Sequence, residues 1–344
     1  HLGRYAIATV SRVSNLDFLV QDAFNRRVAH FSETGSIGIN PTELIATLIN
    51  EKTSFEAGIS YAQERVEGSC SILLLTEKGI YVARDRFGRT PIITASKEGA
   101  VAATLENAVF PNLDYTGQYY LGPGEILRLT PEGIEQLRKP DAYKQVCAFL
   151  WVYYGFPASS YENINVESCR YRCGARLAEK DTVEADLVAG IPESGTGYAI
   201  GYANAKTVPY GRPFTKYTTT WPRSFMSPGQ TKRKLVARMK LIPVPDLVQA
   251  KRLLFCDDSI VRGVQLADTI KRLYEAGARE VHMRPACPPL LFACKYLNFS
   301  RSKSEMDLIA RRTVRELEGG ANGSLEEYTN PDSEKYKAMV DRIR

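Results

Sequence analysis

The chain has 344 residues, 44% of them hydrophobic, and 45 Lys and Arg against 39 Asp and Glu give it a net charge of +6. That is a globular composition with room for two domains. The positive charge is modest and scattered apart from Lys232-Arg233-Lys234 and Arg311-Arg312, which argues against nucleic-acid binding and suits a small anionic substrate. No run of about 18 apolar residues is present, so no membrane-spanning helix is predicted. His1-Leu2-Gly3-Arg4-Tyr5 reads as the middle of a strand, not as a signal or transit peptide. Seven scattered cysteines, an odd number, point to a reducing, cytoplasmic setting rather than a disulfide framework.

From Leu2 to about Leu137 the pattern is one of short strands, turns and few long helices. Tyr5 to Val10 is an apolar strand. Leu16 to Phe24 and Pro41 to Glu51 read as helices, the second capped by Asn40 with Pro41 at its first position. Cys70 to Leu75 and Gly79 to Ala83 form a strand pair across Thr76-Glu77-Lys78. Asp85 to Pro91 is a turn before a strand at Ile92 to Ala95, and Ile126 to Leu129 is another strand. These features predict an α+β domain rich in antiparallel sheet, over residues 1–140.

Beyond about Val146 strands and helices alternate. Val166 to Glu179 is a helix, Asp186 to Ile191 a strand, and Pro192-Glu193-Ser194-Gly195 a turn into a helix from Thr196 to Ala205. Leu253 to Cys256, a helix from Val264 to Ala276 and Glu280 to Met283 complete a second β–turn–α–β unit. The alternation predicts an α/β domain with a parallel, Rossmann-like sheet over 141–318, whose ligands sit beyond the strand carboxyl ends. A polar tail, 319–344, ends in a helix capped by Asn330-Pro331-Asp332-Ser333.

Leu253-Leu254-Phe255-Cys256-Asp257-Asp258-Ser259-Ile260-Val261-Arg262-Gly263 is the most informative stretch. A buried strand ends in two acids and opens through a short turn into a helix. Asp257 and Asp258 suit either a solvated acidic turn or a sugar-phosphate cradle, with carboxylates for ribose hydroxyls and free N–H groups for a phosphate.

The stretch resembles the phosphoribosyl pyrophosphate (PRPP) signature of type I phosphoribosyltransferases, and its Asp-Asp-Ser-Ile-Val-Arg-Gly form is similar to that of the glutamine PRPP amidotransferase family of purine biosynthesis. Cys147 to Tyr154, Pro192 to Gly195, Arg223 to Gln230 and Val281 to Pro289 resemble the same family, in the same order. The resemblance implies an N-terminal-nucleophile-hydrolase-like glutaminase domain followed by a type I phosphoribosyltransferase domain. It implies that Asp257 and Asp258 bind the ribose 2′ and 3′ hydroxyls and that Ser259, Ile260, Val261, Arg262 and Gly263 hold the 5′-phosphate. Glu193, Ser194 and Gly195 become the pyrophosphate loop. Lys216 and Arg223 become cations of a closing loop, one of them steadying pyrophosphate; solvated loop charge is the alternative for both. Mg²⁺ is expected on substrate oxygens beside Asp257 and Asp258. The partners implied are PRPP and ammonia, and a homo-oligomer is expected.

The first domain departs from the family. Val10 and Ser11 stand where an Asn and a Gly supply the oxyanion hole, and Asn40-Pro41-Thr42-Glu43 replaces a Ser-Asp-Thr-Glu whose Asp holds the glutamine amine. Cys70, in an apolar run, reads as core. Glutamine is expected as a nitrogen source only if the natural N-terminus supplies a cysteine nucleophile. Cys147 and Cys294 match two of four family iron–sulfur ligands, so no cluster is expected. The expected activity is therefore formation of 5-phosphoribosylamine and pyrophosphate from PRPP and ammonia, with glutamine hydrolysis lost. The alternatives are a non-catalytic sensor of PRPP or nucleotides and a phosphoribosyltransferase using another nucleophile.

Overall fold

Residues 2–26, 34–35, 38–216, 241–294, 296, 304–320 and 324–343 are described by a computed structural model of the protein. They fall into two units. One comprises His1–Leu150, Gly155–Asn165 and Cys294–Arg301; the other comprises Trp151–Tyr154, Val166–Ala293 and Ser302–Arg344.

In the first unit the strands are β1 (Ala6–Val13), β2 (Thr34–Gly35), β3 (Gly38–Ile39), β4 (Gly68–Thr76), β5 (Gly79–Ala83), β6 (Ile93–Lys97), β7 (Ala100–Thr104), β8 (Thr116–Tyr120), β9 (Ile126–Thr130), β10 (Gly133–Arg138), β11 (Ser160–Tyr161) and β12 (Ile164–Asn165). The helices are α1 (Leu16–Asn25), α2 (Pro41–Asn50), α3 (Phe55–Arg65) and α4 (Val109–Asn112). An antiparallel sheet runs β1-β4-β5-β9-β10, and a smaller one runs β7-β6-β8. Alternation along the strands splits the large sheet into two apolar faces. Cys70, Ile72, Leu74 and Ala83 pack with Leu44, Leu48 and Ile59 of the helices, while Val82, Leu127 and Leu129 pack with Ile92 and Leu121. Cys70 is thus a core residue.

The sequence placed α1, α2 and the β4–β5 pair. Asn40 caps α2 as expected, its side chain accepting from the Thr42 N–H at 2.9 Å with Pro41 in the first turn. The expectation of few long helices misses α3, capped by the Ser54 hydroxyl. Its sequence, Phe-Glu-Ala-Gly-Ile-Ser-Tyr-Ala-Gln-Glu-Arg, carries too few large apolar residues for a clear stripe. Strands β7, β8 and β10 also went unread, because β8 and β10 are largely exposed and alternate weakly.

The second unit contains α5 (Val166–Glu179), β13 (Leu187–Gly190), α6 (Thr196–Lys206), β14 (Phe214–Lys216), β15 (Leu241–Pro243), α7 (Pro245–Val248), β16 (Arg252–Asp257), α8 (Val264–Glu275), β17 (Glu280–Pro285), α9 (Ile309–Leu317), α10 (Glu326–Thr329) and α11 (Glu334–Ile343). Its parallel sheet runs β13-β16-β17. Both faces are covered. Val188, Leu254 and Cys256 pack on Tyr198, Ala199 and Tyr202 of α6, and Leu187, Ala189, Leu253 and Phe255 pack with Val248 and Leu273. Burial on both sides explains why β16 reads as a continuous apolar run. Leu253, Leu254 and Phe255 are fully buried, each contributing about 1.5–3 kcal/mol. The C-terminal stretch is more than a polar tail: Tyr328 and Met339 are buried against Leu291, Ala310 and Val314. The Ser333 hydroxyl accepts from the Tyr336 N–H at 3.0 Å, capping α11 as expected.

Candidate active site

The parallel pairing Gly190↔Cys256 and Asp257↔Pro285 brings the carboxyl ends of β13, β16 and β17 side by side. The turns that follow β13 and β16 therefore share one rim. They are pinned by backbone bonds: Ile191 N–H donates to Cys256 O at 2.9 Å, and Gly195 N–H to Ile191 O at 2.8 Å. The Pro192–Glu193 peptide is cis. Gly195 lies so close to β16 that a Cβ there would sit 2.0 Å from the Cys256 carbonyl oxygen. Any side chain would push the turn off the strand, which is the physical reason for glycine.

Across the rim, the Ser194 hydroxyl donates to Asp257 Oδ1 at 2.7 Å, and the Asp258 N–H donates to the same oxygen at 2.9 Å. The Ser259 hydroxyl donates to Asp258 Oδ2 at 2.9 Å. From the β17 side, Ala286 N–H donates to Asp257 O and Cys287 N–H to Asp258 O, both at 2.9 Å. Asp258 is 6% exposed, a depth at which acids are rare without a partner. Burial first, and then the neighbouring Asp258 carboxylate, pushes Asp257 up to about 8. Two adjacent carboxyls held this way are short of positive charge.

Beyond the acids, Gly263 has φ +74 and leads into α8. The backbone N–H groups of Ser259 to Gly263 have no partner among the described residues. In the other turn the Gly195 N–H is already taken, and Thr196 N–H donates to Glu193 O at 3.3 Å. That leaves the N–H groups of Glu193 and Ser194 without a partner among the described residues.

The structure brings Glu193, Ser194, Gly195 and Asp257 to Gly263 to one rim. It does not bring in the remaining cations: Lys216 ends β14, with a side chain outside the described residues, and Arg223 lies wholly outside them. No local pattern announces that α9 lies against the 257–263 loop. Ile309 N–H donates to Val261 O at 2.8 Å, and the Arg312 guanidinium donates to Arg262 O at 2.7 Å. Contacts 48 and 50 residues apart leave no local pattern to read.

In the first unit, residues of the two stretches that depart from the family pattern make local bonds. Asn40 is the α2 cap, and the Thr9 hydroxyl bonds those of Thr42 at 2.7 Å and Ser11 at 3.2 Å. The Cys147 thiol is raised mainly by burial, and Cys294 adds to the effect, so the two lie near each other. Among the described residues no group of three or more His, Cys, Asp or Glu is arranged to hold a metal ion. Nor is any described helix long and apolar enough to cross a membrane.

The chain is similar to known proteins over most of its length. No family model matches the chain. An amidophosphoribosyltransferase of Mycobacterium tuberculosis is 37% identical over 234 residues, covering 67% of this chain and 44% of that protein. The amidophosphoribosyltransferase of Bacillus subtilis is 34% identical over 282 residues, 80% of this chain and 58% of the relative. The chain thus spans about half the length of these relatives. The solved structure of glutamine PRPP amidotransferase from B. subtilis, complexed with ADP and GMP, superposes with a TM-score of 0.79 at 29% identity, covering 98% of this chain and 72% of that one. With its paired turns at the ends of parallel strands and this similarity over most of its length, the chain belongs to the amidophosphoribosyltransferase family.

Proposed function

We propose that the chain forms 5-phosphoribosylamine and pyrophosphate from PRPP and ammonia, with glutamine hydrolysis lost. In this reading the second unit is a type I phosphoribosyltransferase and the first is an N-terminal-nucleophile fold kept as a scaffold. The observation that carries it is the Ser194–Asp257 hydrogen bond, which joins two turns 63 residues apart at one sheet rim. One turn has spare N–H groups for pyrophosphate, and the other has acids for a ribose and spare N–H groups for a 5′-phosphate.

The chemistry follows from charge. As the bond from ribose C1 to pyrophosphate oxygen breaks, positive charge builds on the ring and negative charge on the leaving group. Asp258, and Asp257 once it gives up the proton that burial keeps on it, stabilise the first, beside the ribose hydroxyls they accept from. The Glu193 and Ser194 N–H groups meet the second, and Gly195 keeps them close to β16. Ammonia then bonds to C1 and sheds a proton to solvent. Lys216 or Arg223 is assigned to steadying pyrophosphate from the resemblance alone. Asp257 and Asp258 fit a Mg²⁺–PRPP substrate, since they are hard oxygen donors short of positive charge. When bound, Mg²⁺ neutralises charge on the leaving pyrophosphate. Seven free cysteines support a reducing, cytoplasmic setting, and a homo-oligomer remains part of the reading.

Pyrophosphate release from PRPP and ammonium is the test. Wild-type release with loss in Asp257→Asn supports the transferase. PRPP binding without release in the wild type supports a non-catalytic sensor instead. Glutamate release from glutamine by the complete natural protein, at the rate of phosphoribosylamine formation, overturns the loss of glutaminase. Val10, Ser11 and Pro41 at the key positions support that loss.

A further inference from the structure

Two carbonyls of the 257–263 loop are turned toward α9. Val261 O accepts the Ile309 N–H at 2.8 Å, and Arg262 O accepts from the Arg312 guanidinium at 2.7 Å. Arg312 is itself fixed, because its other terminal nitrogen donates to Met306 O at 3.1 Å and Asp307 O at 3.0 Å. The Arg262 guanidinium lies 3.9 Å from the Asp307 carboxylate. Gly263 meets the same helix: a Cβ there would sit 2.6 Å from Ile309 Cδ1.

The peptides of this loop are trans. In a trans peptide the N–H of one residue points opposite to the carbonyl of the residue before it. Holding the Val261 carbonyl on α9 therefore turns the Arg262 N–H away from α9, and holding the Arg262 carbonyl does the same to the Gly263 N–H. Both N–H groups are without a partner among the described residues. A loop left to itself would let these peptides flip, because a two-peptide swing costs little where no neighbour objects. Here each flip breaks a bond to α9.

We propose that α9 clamps the phosphate loop, with Arg312 and Ile309 as positioning residues that keep the Arg262 and Gly263 N–H groups aimed at the 5′-phosphate. The clamp rests on the reading of residues 257–263 as a PRPP cradle. It implies that binding of the 5′-phosphate end, and not of the pyrophosphate end, depends on a helix that touches neither. The pyrophosphate turn at 192–195 draws its backbone bonds from Ile191 and Cys256 and meets the other turn only at Asp257, before the residues that α9 holds, so none of its described bonds is to α9.

The two ends are separated with two probes, ribose 5-phosphate alone and magnesium pyrophosphate alone, titrated calorimetrically into the full chain. Arg312→Gln removes the bond to Arg262 O and is expected to weaken ribose 5-phosphate roughly tenfold, the effect of one charge-assisted hydrogen bond. Magnesium pyrophosphate is expected to bind as to the wild type. Arg312→Lys, which restores a charged donor, is expected to recover part of the loss. Ile309→Pro is an independent second variant, in case Arg312→Gln does not fold. It deletes the N–H donor to Val261 O and also trims the Ile309 side chain that faces Gly263, so both of the residue's contacts with the loop are tested together. Proline is compatible with the first position of a helix, and Leu308 before it is already extended, at φ −78 and ψ 128. Ribose 5-phosphate binding at wild-type strength in the folded variants overturns the clamp, and so does an equal loss for both probes. A wild-type chain that binds neither PRPP nor either probe overturns the underlying cradle instead.

Discussion

Two residues fix the character of the site, and each makes a prediction. Asp257 is raised to about 8 by burial and then by Asp258. A carboxyl raised in the folded state holds a proton that the unfolded chain has already released, so its contribution is full below the unfolded pKa and is lost as pH climbs toward the folded one. Stability should therefore decline between about pH 4 and about pH 8 on account of this group. Asp257→Asn lacks the decline: its melting temperature is expected to rise relative to wild type by a few degrees between about pH 5 and about pH 8. PRPP binding is expected to be lost. Melting curves at the two pH values decide this, and an offset that does not change with pH counts against it. Gly195→Ala tests close approach. With the Cys256 carbonyl 2.0 Å from the added Cβ, backbone must move, and a loss of about 3 kcal/mol or more in denaturant unfolding is expected. The two acids were legible in the sequence because they end an apolar run. The hydrogen bond from Ser194 to Asp257 was not, since 63 residues separate the partners.

At the scale of elements, caps and buried pairs decide where strands and helices begin and how they stay in place. Asn40→Ala is expected to cost about 1 kcal/mol by removing the Thr42 N–H acceptor at the start of α2. Chemical denaturation of the first unit, followed by an aromatic signal such as that of Phe55 and Tyr81, reads this loss. Near the parallel sheet, burial alone would raise Asp181. Hydrogen bonds from Arg284 at 2.5 and 2.9 Å, with help from the Val183 N–H and Tyr202 hydroxyl, outweigh it and hold the carboxyl at about 2. A lowered carboxyl stabilises the fold above its unfolded pKa and loses that effect as pH falls through about 2. Arg284→Met is accordingly expected to move acid unfolding to higher pH. An unchanged acid midpoint would show that Val183 and Tyr202 suffice. Elements with caps or continuous apolar runs, such as α2 and β16, were legible. Those formed by pairing, such as β8 and β10, were not, because a neighbouring strand rather than their own hydrophobicity holds them.

For the whole molecule, the two units carry unequal signatures. The second keeps its acids, its turns and their backbone donors in one place, while the first uses the matching positions for a helix cap and a hydroxyl cluster. Cys147 and Cys294 lie near each other, but two thiols do not hold a cubane cluster. The purified chain, incubated anaerobically with iron and sulfide, is expected to lack the visible absorbance of one; a stable band would contradict that. Local pattern, caps and turns determined most of the order of elements (α3, β7, β8 and β10 excepted), the switch from antiparallel to parallel grammar, and the strand-acid-acid-turn, because each is written in neighbouring residues through local sterics and burial. Only the tertiary structure decided that Ser194 meets Asp257, that α9 grips the Val261 and Arg262 carbonyls, and that Gly195 must be bare. Those contacts join segments dozens of residues apart, and the hydrogen-bonding demand of a backbone carbonyl carries no sequence pattern of its own.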